Sequence, residues 1–141
     1  MTKMIAERVQ RAFELTYDFF MFLAPASLSL RIPNAPSNTL GEQAWCIIGG
    51  RESCLAALKA GSWQGFRCSL EDCSSLPPIL DKLKDTALDL TELCSIAPHN
   101  LSTDLLLDLL EHEVQHHGQL IRFGYANRLR FPPSWSRRYT V

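Results

Sequence analysis

Apolar side chains recur at steps of three and four along four separate segments, and no segment alternates apolar and polar residues over six or more positions. That period belongs to α-helices with one buried face, whereas a half-buried strand needs a period of two. The first repeat is Ile5, Val9, Phe13, Tyr17, Phe20 and Leu23, closed by Pro25. Residues 31–38 hold two prolines, two asparagines and a serine, a loop composition. Thr39 stands three residues before Glu42, the spacing of a capping box, and opens a second helix with Leu40, Ala44, Ile47, Leu55 and Leu58 on its apolar face. It ends near Gly61. Pro77 and Pro78 suit the first turn of a third helix carrying Ile79, Leu83, Ala87, Leu90 and Leu93. A fourth starts near Ser102 and runs to about Asn127.

Four helices of roughly 20 residues would each span about 30 Å. The simplest architecture is an all-α, antiparallel four-helix bundle, and 141 residues suffice for one such domain over positions 1–141. The loop of about 15 residues between the second and third helices is long for a bundle and predicts a crossover connection. The apolar stretch Tyr17 to Leu30 is too short to cross a bilayer, which needs about 20 residues. Glu7, Glu14 and Asp18 break the order of a signal peptide, so a cytoplasmic chain with no membrane partner is expected. Its five cysteines are then reduced thiols and not a disulfide framework.

The net charge of −1 hides a pattern. Residues 71–113 carry ten acidic and two basic side chains, and residues 114–141 carry five arginines and no acid. Arg122, Arg128, Arg130, Arg137 and Arg138 lie among Phe123, Tyr125, Phe131, Trp135 and Tyr139, which could be an aromatic-interleaved nucleic-acid surface. The preferred reading is a helix C-terminus and tail folded back on an acidic neighbour, with no nucleic-acid partner.

Three of the four histidines fall within the run His112-Glu-Val-Gln-His116-His117. A spacing of four puts His112 and His116 one turn apart, so that both imidazoles can reach one ion. With about 100° per residue, His116, Glu113 and His117 fall inside the apolar arc of the fourth helix and His112 on its margin. Ionisable groups on a buried face need partners. A divalent ion would satisfy them, with Glu113 or His117 supporting or joining the ligands. A hydrogen-bonded polar cluster, or a helix edge solvated near Gly118, would do so as well.

Two histidines do not complete a site. His99 would lie about 20 Å from His112 along the axis and is a poor third ligand. Cys46 on the second helix sits at the margin of its apolar arc, in a lane of small residues with Gly50, Ser53 and Ala57. A small buried hydrophobe is the ordinary role for such a cysteine.

Thr39-Leu-Gly-Glu-Gln-Ala-Trp-Cys-Ile-Ile-Gly-Gly-Arg-Glu resembles the second-helix motif of the DinB-like superfamily, and Leu110-Glu-His-Glu-Val-Gln-His-His-Gly-Gln-Leu-Ile-Arg resembles its last-helix motif. The Phe131-Pro-Pro-Ser-Trp-Ser-Arg-Arg-Tyr tail is similar to the ending of part of that group. The resemblance implies a four-helix bundle, often dimeric, that binds a divalent metal through a second-helix histidine and a last-helix histidine pair. His112 and His116 match the pair, and Cys46 stands where the family has its histidine. A thiolate with two imidazoles suits zinc before nickel or iron.

Some members of that family are S-transferases or isomerases that use low-molecular-weight thiols. The resemblance therefore implies a metal-dependent thiol S-transferase or hydrolase acting on a small-molecule substrate. Three protein ligands would leave a fourth position for water or a thiol cofactor, with Glu113 as proton acceptor or as orienter of His116. The alternative is a non-catalytic relative in which Cys46 marks a degenerate site and the chain serves as a structural module, with a homodimer implied in either case. Nucleic-acid binding through the arginine-rich tail is the third reading.

Overall fold

A computed structural model describes residues 1–141 as five α-helices and one 3-10 helix without a strand. These are α1 Thr2–Phe22, the 3-10 helix Pro25–Ser29, α2 Leu40–Ala60, α3 Leu76–Ile96, α4 Thr103–Ala126 and α5 Pro133–Tyr139. No helix is long and apolar enough to cross a membrane.

The helix ends follow local chemistry. Thr39 Oγ1 accepts from the Glu42 backbone N–H at 3.1 Å, and the Glu42 carboxylate accepts from the Thr39 N–H at 2.7 Å, the reciprocal capping box expected of α2. Gly61 closes α2 at φ +78°, a left-handed conformation open to a residue without Cβ. Ser102 caps α4 by accepting from the Leu105 N–H. Ala24, extended before Pro25, ends the first helical segment.

Both α1 and α2 pack against α3 and α4. Hydrogen bonds fix the running sense of each pair. Thr2 meets Thr103 and Thr16 meets Glu113 and His117, so α1 and α4 run in the same direction. Gln43 meets His116 and Arg51 meets Glu113, so α2 runs against α4. Gln10 meets Thr91, and the Lys84 ammonium lies over the Tyr17 ring, so α1 runs against α3. The bundle is therefore not antiparallel throughout, which corrects the expected topology, and the cause is the crossover. Residues 62–75 do not turn back at once but return along α2. Ser53 bonds the Arg67 backbone, Glu52 holds Ser69, and Gly41 lies so close to the Cys73 carbonyl that a Cβ there would overlap it. The chain then enters α3 at the end of the bundle where α2 began.

The core divides in two. Phe19, Phe20, Leu40, Ile47, Ile48, Leu83, Leu120, Phe123 and Trp135 belong to one buried cluster. Val9, Phe13, Cys54, Leu55, Leu90, Leu106 and Leu109 belong to the other. In sequence register, a layer of buried polar side chains falls between them on all four long helices: Thr16, Arg51, Thr86, Glu113 and His117. Each apolar cluster removes aromatic and branched side chains from water and supplies the main drive to fold.

The tail does fold back, but onto α1 and not by charge. Trp135 is wholly buried against Phe19, Phe131 and His117, and its indole N–H donates to the Leu15 carbonyl at 2.6 Å. None of the five arginines of residues 114–141 forms an ion pair. Apolar burial therefore replaces the acidic neighbour expected from the charge pattern.

Candidate metal centre

Cys46, His112 and His116 come together: one candidate ligand atom from each lies within 4.8 Å of the others. It is the one such group of three in the molecule, and His99, Cys54, Cys68, Cys73 and Cys94 stand outside it. All five cysteines are free thiols. The rings of His112 and His116 meet edge to face, 4.7 Å between centroids, as neighbours one helical turn apart.

Each member is held differently. His116 is buried, with Nδ1 2.7 Å from Gln43 Oε1. A carbonyl oxygen only accepts, so Nδ1 carries the proton and the Nε2 lone pair is left free, the tautomer that a ligating histidine requires. Gln43 is fixed in turn through its amide, which donates to Asn38 Oδ1 at 3.1 Å. His112 packs over Gly50, where a Cβ would stand 2.6 Å from Nδ1 and overlap the ring. The lane of small residues on α2 therefore admits an imidazole. His112 Nδ1 is shielded from water and has no hydrogen-bond partner. An orphaned buried acceptor or donor is costly, so this ring carries a polar atom that the protein alone does not satisfy. Cys46 is half-buried, one turn from both Gln43 and Gly50.

Burial disfavours charge on all three ligand candidates. It lowers His112, partly offset by the neighbouring Glu113 carboxylate, and it lowers His116 to about 4 with His112 adding repulsion. The imidazoles are thus neutral and ready to donate at neutral pH. Burial raises the Cys46 thiol, so this sulfur would ligate only on losing a proton to the ion. Two imidazoles and one thiolate form a donor set suited to zinc, and tetrahedral zinc with three protein ligands keeps one position open.

The structure gives Glu113 a different task from proton acceptor or orienter of His116. It is fully buried, and its carboxylate takes hydrogen bonds from Arg51 Nε at 3.1 Å, from Arg51 Nη2 and from the Thr16 hydroxyl. Burial alone would raise its pKa, but the Arg51 charge and hydrogen bond, aided by His117 and Thr16, hold it below the usual carboxylate value. The orienting role belongs to Gln43. Nor is His117 a ligand. Tyr139 donates to its Nδ1 at 2.7 Å, and its Nε2–H donates to Thr16 Oγ1 at 2.8 Å, completing a chain from Tyr139 to the Glu113 carboxylate.

Arg51 and Gln43 were not singled out by the sequence reading. Both lay within its reach: Gln43 precedes Cys46 by one turn, and Arg51 is an isolated cation amid the apolar repeat of α2. Comparison with known proteins gives no match to a family model, to a curated protein or to a solved structure.

Proposed function

We propose that the chain is a divalent-metal-binding bundle of DinB-like type, with Cys46, His112 and His116 as ligands and zinc as the preferred ion. The observation that carries this reading is the convergence of two neutral imidazoles and a thiol, one candidate ligand atom of each within 4.8 Å of the others. Gln43 keeps His116 in the ligating tautomer, Gly50 makes room for His112, and the Arg51–Glu113 pair locks α2 to α4 in the register that brings the three together. A bound ion would supply Lewis acidity at an open coordination position, where a water or a low-molecular-weight thiol could be activated. The activity best suited to that is metal-dependent S-transfer or hydrolysis on a small molecule. Glu113, committed to Arg51 and Thr16, is not the proton acceptor in it.

A second reading, a structural metal site or a degenerate one in an interaction module, draws on another observation. The main clefts of the molecule are lined by other residues and do not reach Cys46, His112 or His116. A homodimer is compatible with either reading.

Metal analysis of tag-free protein reconstituted with zinc tests the proposal. About one equivalent is expected, and Cys46→Ser should weaken zinc binding while leaving the helical content unchanged. Less than about a tenth of an equivalent would overturn it.

A further inference from the structure

Helix α4 presents a second face, away from Cys46, to a cleft of about 610 Å³ enclosed with α1 and α5. Four guanidiniums border it: Arg8 and Arg11 on α1, Arg137 and Arg138 on α5. None of them has a carboxylate oxygen within 4.0 Å, although Glu14 and Asp18 border the same space. The ion pairs of the molecule are Arg31 with Glu42 and Arg51 with Glu113, both elsewhere. Unneutralised cations crowded into one concavity repel one another, and an anion relieves that.

Other features point the same way. Ser134 is among the residues that border the cleft, and its Oγ is left without a hydrogen-bond partner. Leu110 and Val114 provide an apolar wall. A volume of this size suits a small organic ligand.

We infer that this cleft binds a small organic phosphate monoester. With four arginines and two carboxylates at the rim, two positive charges remain in excess, and a phosphomonoester carries about −1.5 to −2 near pH 7. Guanidinium forks match its oxygens two at a time, and the organic part rests on Leu110 and Val114.

The test is calorimetric titration of chelator-treated protein with phenyl phosphate at low salt, so that no metal competes for the ligand. Saturable binding is expected, weakened at least about tenfold in R137A/R138A and again in R8A/R11A, all four being exposed side chains whose removal leaves the Trp135 anchor intact. His112→Ala should leave the affinity unchanged, which separates this cleft from the metal centre. Absence of saturable binding at millimolar ligand, or binding by both double variants as tight as that of the parent, would overturn the inference. So would loss of binding in His112→Ala. Displacement of phenyl phosphate by a short DNA duplex with a steep salt dependence would also overturn it, in favour of a nucleic-acid surface.

Discussion

Gly50 makes a sharp test of the metal centre at the scale of one residue. Alanine in a helix interior is favoured over glycine by up to about 1 kcal/mol, so on propensity alone Gly50→Ala should stabilise α2. Its Cβ, however, would overlap the His112 ring. That ring has no hydrogen bond at Nδ1 to hold it, so it can swing aside. The two effects then offset in stability and separate in function. Gly50→Ala is expected to unfold within about 1 kcal/mol of the parent while its zinc affinity, read by competition with a chromophoric chelator, drops at least about tenfold. Unchanged affinity would mean that His112 is not a ligand. The histidine pair was legible in the sequence because helical spacing of four is a local property. Gly50 was read only as a small residue, because the ring that fills its space comes from a helix more than sixty positions away.

At the scale of elements, the helices are joined by polar chemistry where a bundle ordinarily uses apolar packing. Arg51 reaches from α2 to the Phe13 carbonyl on α1, to the Leu83 carbonyl and Thr86 hydroxyl on α3, and to Glu113 on α4, with its guanidinium 3.6 Å above the Phe13 ring. It therefore fixes the axial register of all four long helices at once. Breaking such a pair by removing one partner costs about 3–5 kcal/mol, because a buried charge is left alone, whereas an apolar replacement of both partners can be nearly neutral. In urea unfolding, Arg51→Met should lose stability of that order, and adding Glu113→Leu to it should recover most of the loss. Additive losses in the double variant would show that the layer acts through packing and not through charge.

The same scale shows where local signals stop. The capping box of α2 and the apolar arcs of the long helices could be read directly, since each depends on residues three or four apart. Helix α5 could not. It has seven residues, too few for a helix to be stable by propensity, and it exists because Trp135 and Tyr139, one turn apart, dock on Leu15 and His117. The direction of α3 escaped likewise: a long crossover was expected, but only the contacts of residues 67–73 with α2 send the chain back to the opposite end.

For the whole molecule, the buried histidines imply a dependence of stability on acid. His116 and His117 each have an ordinary value of 6.5 and are held at about 4 in the folded chain, first by burial, with repulsion from His112 acting on His116 and from Arg51 on His117, and the nearby Glu113 charge only partly opposing. Below 6.5 the unfolded chain takes up protons at these positions while the folded chain does not, so acid favours unfolding. The stability they contribute is complete above 6.5 and is lost progressively as the pH falls to about 4. Glu113, held below its ordinary 4.5, adds a loss of the same sign at the acid end of that window, where its unfolded form becomes protonated first. The urea midpoint of chelator-treated protein should therefore be flat above 6.5 and fall steadily towards 4. A midpoint unchanged between these limits would mean that the two imidazoles are already solvated and charged in the folded chain. Loading with zinc should raise the midpoint near neutral pH and make the fall steeper, because protons then compete with the ion for His112, His116 and the Cys46 sulfur. A zinc-loaded curve parallel to the apo one would separate the ion from the histidines and assign it to some other part of the chain.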